Sequence, residues 1–170
     1  MAGNVYSAEG GRHLLLYPGE NVIYMRSLWG EHAERAILLE NDYKEGLSDV
    51  VYRRSIYYSY ITIQDEIVVK RMLEHNRLVS VTREENPDCF FPVLTVIQEK
   101  LGLFFAMKNP LTGKYLVKAL FPMEEKEILL QNEYSFPPAI SFFQVEEKKF
   151  LVTENEEETI LWELWWENEA

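Results

Sequence analysis

The sequence predicts a mainly β protein: a single antiparallel barrel or sandwich of about eight or more strands with a C-terminal helix. Two observations predict this class. Aromatic residues make up 14% of the 170 residues, with ten Tyr, nine Phe and four Trp, and aromatic side chains pack well on pleated surfaces. Short apolar segments also alternate with turn residues along most of the chain, which is typical of all-β domains.

The first half of the chain predicts two hairpins and a long strand. Pro18–Gly19 lies between the apolar segments HLLLY and VIYMRSLW, and proline followed by glycine suits the centre of a type II turn. A strand is predicted over Val50 to Ile63, where β-branched and aromatic residues dominate. Residues Glu66 to Arg83 fit either a helix or a hairpin that turns at His75–Asn76. We favour the hairpin because β-branched residues prefer strands.

The second half of the chain predicts a meander followed by a further hairpin. Apolar segments from Phe90 to Phe121 are separated by predicted turns at Lys100–Gly102 and Asn109–Gly113. The segment Met123 to Asn132 fits a short helix or another strand. Beyond it, AISFFQV and FLVTEN flank the polar residues Glu146–Lys149, which predicts a hairpin.

The acidic, Trp-rich segment 154–170 fits either a helix or a strand. Asn155 is a good N-cap, and three glutamates follow it where a helix dipole favours anions. A helical face would then contain Ile160, Leu161, Leu164 and Trp165. A strand would instead align Ile160, Trp162, Leu164 and Trp166. We favour the helix because the capping signal and the apolar face agree.

The charge of the chain predicts the class of its partners. The net charge is −11, and the segment from Glu146 to Ala170 carries nine Glu against two Lys, a net −7. Nucleic acids and anionic membranes need a basic surface to displace counterions, so neither is an expected partner. An acidic segment favours a protein partner with a basic surface.

The cysteine content and the apolar pattern predict the compartment. Cys89 is the only cysteine, so an internal disulfide is impossible, which fits the cytoplasm or the nucleus. The first residues do not resemble a signal peptide, and no apolar stretch reaches the roughly 18 residues of a membrane span. We expect one soluble domain over residues 1–170, with a flexible N-terminus at 1–11.

Candidate catalytic or metal-ligating residues are sparse. The three histidines, His13, His32 and His75, have no metal-ligand spacing. Cys89 precedes a strongly apolar segment and is interpreted as a buried structural thiol. The glycines lack the spacing of a phosphate-binding loop. The sequence therefore predicts a non-enzymatic protein without a cofactor or a metal.

Two aromatic groups are candidates for partner binding, because Tyr, Trp and Arg are enriched in binding hot spots. They are Arg53, Arg54, Tyr57, Tyr58 and Tyr60 on the predicted long strand, and Trp162, Trp165 and Trp166 near the C-terminus. We expect a protein-interaction module or a subunit of a larger intracellular assembly. The alternative is a β-barrel carrier of a small apolar ligand.

Overall fold

The computed structural model describes residues 5–8, 12–27, 36–72, 77–83 and 88–164. These residues form fifteen strands, all paired antiparallel, and no helix, so the mainly β prediction is confirmed. Among the described residues, no helix has the length and apolarity that crossing a membrane requires. The chain divides into two compact units, Met1–Arg83 and Glu84–Ala170. The single domain over residues 1–170 stays a prediction.

The N-terminal unit contains two four-stranded sheets, each a meander in which every strand pairs with the next one in sequence. The first sheet consists of β1 (Val5–Ala8), β2 (Arg12–Pro18), β3 (Ile23–Ser27) and β4 (Ala36–Glu40). The second sheet consists of β5 (Tyr43–Tyr52), β6 (Ser55–Thr62), β7 (Glu66–Arg71) and β8 (Arg77–Arg83). One core joins the two sheets: it contains Leu16 and Ile23 from the first and Ile56, Tyr58, Tyr60 and Val68 from the second.

The C-terminal unit also contains two meander sheets. The third sheet consists of β9 (Cys89–Ile97), β10 (Lys100–Lys108), β11 (Tyr115–Phe121) and β12 (Lys126–Leu129). The fourth sheet consists of β13 (Ala139–Val145), β14 (Lys148–Glu154) and β15 (Thr159–Leu164). Their shared core contains Ile97, Phe104, Val117, Ala119 and Phe121 from the third sheet, Ile140 and Leu151 from the fourth, and Tyr134 from the link between them.

The predicted closed barrel does not form among the described strands. A barrel needs one continuous ladder that returns to its first strand. Here the ladder stops at β4 and a new one starts at β5, and it stops again at β12 before β13. The physical reason is that the links at 41–42 and 130–138 carry the chain onto another sheet, so that within each unit two sheets bury their apolar faces against each other.

The predicted C-terminal helix is also wrong, because Thr159–Leu164 forms strand β15 and pairs with β14 from Glu154↔Thr159 to Lys149↔Leu164. The Asn155 side chain does cap backbone groups: its Oδ1 accepts hydrogen bonds from the N–H groups of Glu157 and Glu158, both at 3.0 Å. An asparagine makes such bonds in a turn as readily as at a helix N-terminus. Here they close the β14–β15 hairpin.

Two turns occur at positions where the sequence did not predict them. The long strand from Val50 to Ile63 is broken at Arg53–Arg54, where φ is 46° and 62°. The turn between β9 and β10 is at Gln98–Glu99, with φ of 45° and 62°, rather than at Lys100–Gly102, which belongs to β10. Paired positive φ values are typical of a type I′ turn, which usually contains Asn or Gly. Neither turn contains these residues, so the usual signal is missing.

The first predicted hairpin is confirmed as β2 and β3, but its turn has another geometry. The residue with a left-handed backbone is Asn21, at φ 58°, and not Gly19. Glycine is needed at position 19 for close packing, because a Cβ there would lie 2.8 Å from Cγ2 of Val22.

The remaining local predictions are confirmed or decided. The segment Glu66 to Arg83 forms a hairpin of β7 and β8, although His75–Asn76 lies outside the described residues. The Asn109–Gly113 loop joins β10 to β11, and Gly113 has a φ of 71°. The hairpin around Glu146–Lys149 forms from β13 and β14. The ambiguous segment Met123 to Asn132 contains strand β12.

Candidate functional site

The structure separates the predicted arginine and tyrosine site residues. Tyr57, Tyr58 and Tyr60 lie on β6 and are buried, with exposed fractions of 5%, 0% and 0%. Arg53 and Arg54 are exposed at the β5–β6 turn. The Arg53 guanidinium carbon lies 5.0 Å from the centre of the Tyr52 ring, a cation–π distance. Of these five predicted site residues, the two arginines are therefore the ones at the surface.

The buried tyrosines belong to a polar group that we call the carboxylate cluster: Glu40, Asp42, Tyr58, Tyr60 and Lys70. The Tyr58 hydroxyl donates to Oε1 of Glu40 at 2.6 Å, and Nζ of Lys70 donates to Oε2 of Glu40 at 2.6 Å. The Tyr60 hydroxyl donates to Oδ1 of Asp42 at 2.7 Å. Since Glu40 ends the first sheet and the tyrosines and lysine belong to the second, these bonds fasten the two sheets together.

The electrostatics of the carboxylate cluster keep its tyrosines neutral. Burial raises the pKa of Tyr58 above its usual value, and the hydrogen bond to Glu40 raises it further. Burial also raises the pKa of Tyr60, followed by its hydrogen bond to Asp42. Nζ of Lys70 lies 5.6 Å from the centre of the Tyr60 ring and balances part of the negative charge. Each of these phenols donates a hydrogen bond inside the fold, so the carboxylate cluster helps to hold the two sheets together.

The fourth sheet carries an apolar surface on the side opposite the core. This surface, the outer face of the fourth sheet, consists of Phe143, Val145, Phe150, Val152 and Leu161. Cross-strand pairing places Phe143 beside Phe150 and Val152 beside Leu161. The two phenylalanine rings stack with centres 5.0 Å apart and planes 13° from parallel. Phe143, Val145 and Leu161 are 42%, 54% and 56% exposed, so the apolar surface is accessible.

Charged side chains surround this outer face. Glu163 pairs with Phe150 across the strands, and its carboxylate lies 2.9 Å from Nζ of Lys148. Glu154 follows Val152 on the same side of β14 and is exposed. The glutamates at 156–158, in the adjoining turn, are exposed as well. The rim is therefore mainly acidic, as the sequence predicted for this segment.

Trp162 lies on the inner side of the fourth sheet. It is half-buried among the residues that pack on the C-terminal core, and its indole N–H donates to Oγ1 of Thr153 at 3.2 Å. Thr153 is also hydrogen-bonded to the Tyr134 hydroxyl. Trp165 and Trp166, the other tryptophans predicted to bind a partner, lie outside the described residues.

A cavity of about 70 Å³ lies within the C-terminal unit. It is lined by apolar side chains of the third sheet and its link, among them Phe104, Ala119, Ile128 and Leu130, and by Leu164 of the fourth sheet. Small-molecule sites usually measure about 300–1,000 Å³. This cavity is large enough for an apolar side-chain fragment only.

Metal-ligating and nucleophilic groups do not converge in the described part of the chain. No cluster of three or more His, Cys, Asp or Glu side chains suits a metal ion among the residues that the structure covers. The side chains of His13, His32 and His75 lie outside that part. Cys89 is 4% exposed, which confirms its interpretation as a buried thiol.

The sequence reasoning missed the residues of the outer face, although a signal for them exists. Both faces of strand β13 carry apolar side chains: Ile140 and Phe142 lie on one face, and Phe143 and Val145 lie on the other. A strand that is apolar on both sides is typical of a sheet that is covered on both faces. Here the described chain covers one face only.

Comparisons with known proteins do not assign the chain to a family. No model of a protein family matches the chain, and no curated protein has a significantly similar sequence.

Proposed function

We propose that this protein is a non-enzymatic protein-interaction module that docks through the outer face of the fourth sheet. The observation that carries the proposal is the exposed stack of Phe143 on Phe150, continued by Val152 and Leu161. Contiguous exposed apolar surface that is rimmed by polar residues is typical of protein interaction sites. Covering it would remove several large apolar side chains from water, each worth about 1.5–3 kcal/mol when fully buried.

The acidic rim of the outer face of the fourth sheet favours a partner that has basic residues around an apolar centre. Glu154, Glu163 and the glutamates at 156–158 are exposed beside the apolar rows, and Lys148 is engaged with Glu163. Opposite charges across an interface steer the encounter and fix its register. We therefore propose faster association at low salt than at high salt.

Arg53 and Arg54 are proposed as a second contact of the same module. Both residues have a left-handed backbone in which side chains other than Asn, Asp and Gly are rare. Such strain costs of the order of 1–2 kcal/mol for each residue, and strained positions cluster at binding and switch sites. The turn presents two guanidinium groups, which suit carboxylates on a partner.

The alternative function, carriage of a small apolar ligand, has less support. It depended on a closed barrel, which the described strands do not form. Surface docking uses the exposed apolar residues on the outer face of the fourth sheet. Absence of enzymatic activity and a cytoplasmic or nuclear setting belong to the same proposal, the latter because Cys89 is the only cysteine.

The test is a comparison of surface variants in quantitative affinity purification. A Phe143→Ser, Leu161→Ser double variant removes apolar surface without touching the core side of the sheet. We expect it to keep the Tm of the parent protein and to lose at least tenfold in the recovery of its main co-purifying protein. The matched control is Leu111→Ser, since Leu111 is 93% exposed in the β10–β11 loop and belongs to none of the strands of the fourth sheet.

The purification should also include Arg53→Asn with Arg54→Gly, which suits the turn better and removes both charges. If the arginines contact the partner, recovery falls although stability rises. The docking proposal fails if the double variant of the fourth sheet recovers the same proteins in the same amounts as Leu111→Ser.

A further inference from the structure

The fourth sheet ends one strand earlier than the third sheet against which it packs. The third sheet has four strands and the fourth has three. At one side of the unit, β13 lies beside β9 and β10. At the other side, the third sheet continues to β12, whereas the fourth ends at β15. Among the described residues, no strand pairs with the side of β15 that points away from β14, which we call the open edge of β15.

The burial of inward side chains decreases towards this open edge. On β14, the inward residues Leu151 and Thr153 are both 0% exposed. On β15, the inward residues are only half-buried: Ile160, Trp162 and Leu164. In a sandwich of two sheets, an inward side chain is fully buried where strands flank it on both sides. The lower burial on β15 therefore indicates an unfilled strand position beside it.

The cavity of the C-terminal unit lies at this unfilled position. Its lining includes Leu164 on β15 together with Ile128 and Leu130 at the far side of the third sheet. Ile128 and Leu130 are themselves half-buried. Neighbouring strands in a sheet are about 4.8 Å apart, and side chains alternate between its two faces. A strand added beside β15 therefore lies opposite β12 and brings an inward side chain to the cavity.

The backbone of the open edge determines what form a partner takes. Along Thr159–Leu164, alternate N–H and C=O groups point away from β14, and the described residues give them no backbone partner. Such an edge is a template for pairing with another chain. An extended segment that adds to the edge gains main-chain hydrogen bonds, and its alternate side chains supply specificity.

The surroundings of the open edge are strongly acidic. Residues 122–133 and 155–164 contain eight glutamates and one lysine, Lys126, and all nine side chains are exposed. Two of the glutamates form ion pairs with Lys118 and Lys148, which leaves six glutamates against Lys126. Opposite charge across an interface favours association, so lysine or arginine residues are the complement of this region.

We infer that the open edge of β15 binds an extended segment of a partner protein as a fourth strand of the sheet. One inward apolar side chain of the segment enters the cavity, and its basic side chains meet the surrounding glutamates. Alternation of apolar and basic residues is the chemistry that identifies this partner. The inference goes beyond the proposed function, because the open edge is a separate site from the outer face of the fourth sheet.

The experiment is fluorescence anisotropy with the full chain and a labelled peptide of six residues, the length of β15, in which lysine alternates with valine. Two further peptides have the same side chains but a changed backbone: one is N-methylated at its lysines and the other at its valines. In an added strand, alternate residues direct their N–H groups towards β15, and those between them direct theirs away. N-methylation therefore removes edge hydrogen bonds in only one of the two peptides.

We expect the unmodified peptide to bind, and one of the two N-methylated peptides to bind at least about tenfold more weakly, because several main-chain hydrogen bonds are lost. The other N-methylated peptide should bind as the unmodified one does. A contact made by side chains and charge alone would not separate the two N-methylated peptides.

Two variants of the protein test the cavity and the charge. Ala119→Val adds two methyl groups at the cavity and should weaken binding of the peptide about threefold through overpacking. Glu124→Lys with Glu157→Lys changes one exposed glutamate in each of the β11–β12 and β14–β15 turns and should weaken it about tenfold. The matched control is Glu20→Lys with Glu45→Lys, which makes the same change of net charge at exposed sites of the N-terminal unit. It should bind the peptide as wild type does.

Three results would overturn the inference: no binding of the peptide to wild type, equal affinity of the two N-methylated peptides, or an equal loss in the two charge variants. A second copy of the chain is the competing occupant. If sedimentation velocity shows a wild-type dimer that the peptide dissociates, the β15 edges of two copies pair with each other and the inference fails. Docking by the outer face of the fourth sheet is tested separately, by Phe143→Ser with Leu161→Ser.

Discussion

The two units join their sheets by different chemistry. In the N-terminal unit, Glu40 of the first sheet accepts hydrogen bonds from Tyr58 and Lys70 of the second, at 2.6 Å each. In the C-terminal unit, the centre of the junction is apolar, with the rings of Phe104 and Phe142 packed edge to face 4.9 Å apart. Lys149 adds one polar link, from its Nζ to the carbonyl oxygen of Val96 at 2.7 Å.

This difference determines how each junction responds to change. Removing one partner of a buried ion pair leaves the other charge uncompensated, so the loss is large and abrupt. Removing part of an apolar side chain costs an amount that grows with the cavity left behind. We therefore expect the N-terminal unit to be sensitive to charge and pH, and the C-terminal unit to be sensitive to volume.

The largest expected effect follows from breaking the Glu40–Lys70 ion pair. Lys70→Met leaves Glu40, which is 9% exposed, without its cation, and we expect a loss of about 3–5 kcal/mol in the free energy of unfolding. Urea denaturation measures this loss. Adding Glu40→Gln to Lys70→Met removes the uncompensated charge and should restore more than half of the loss.

The control for this prediction is the C-terminal unit of the same molecule. Cys89 is buried there, so the rate at which its thiol reacts with a labelling reagent reports opening of that unit. We expect the rate to be unchanged in Lys70→Met under native conditions. A loss below about 1 kcal/mol in the single variant would mean that the pair is screened like a surface pair.

Alkaline pH should affect the two units in opposite directions. Burial raises the pKa of Tyr58 and Tyr60. Their contribution to stability is fully present below the unfolded value of about 10. It is lost as pH rises towards the folded pKa, at about 1.4 kcal/mol per pH unit for each proton retained by the fold.

The opposite sign applies to Lys149, whose pKa is lowered by burial. Its contribution is present above the unfolded value of about 10.4 and is lost as pH falls through the lower folded pKa. Raising the pH from 9 to about 11 should therefore lower the urea midpoint of the N-terminal unit, read by tyrosinate absorbance. Protection of Cys89 should hold or increase. Equal losses in both units would contradict the comparison.

The sequence predicts most hairpins, because their turns contain residues with a defined backbone preference. The Asn109–Gly113 loop and the Glu146–Lys149 turn are examples. It does not predict the break at Arg53–Arg54, because arginine has no preference for a left-handed backbone and the turn is fixed by the pairing of β5 with β6 on either side of it. It also assigns Asn155 to the wrong element, since one set of side-chain hydrogen bonds serves a helix cap and a hairpin turn equally well.

The candidate site could be predicted only in part. The amino-acid composition predicts the acidic character of the C-terminal segment. The apolar residues on both faces of β13 indicate that its outer face is apolar. The carboxylate cluster could not be predicted, because Glu40 lies 18 residues from Tyr58 and 30 from Lys70. Which acid meets which tyrosine depends on how the first and second sheets pack, and local patterns do not specify that packing.

The smallest expected effect tests the volume sensitivity of the C-terminal unit. Ala119 is 2% exposed and lines the cavity of about 70 Å³. Atoms that line unfilled space lose van der Waals contacts that a larger side chain could supply. Ala119→Val adds two methyl groups at the cavity, and valine suits strand β11 because β-branched residues favour strands. We therefore expect a gain of about 0.5–1 kcal/mol in the free energy of unfolding.

The matched control is Ala106→Val, because Ala106 is fully buried on β10 and does not line this cavity. The same added volume has no space there and should cost about 1–3 kcal/mol through overpacking. Thermal denaturation and the labelling rate of Cys89 both measure the difference. If the two variants change the free energy of unfolding by the same amount, the cavity does not affect the stability of the protein. The contrast would then lie in the ion pair of the N-terminal unit alone.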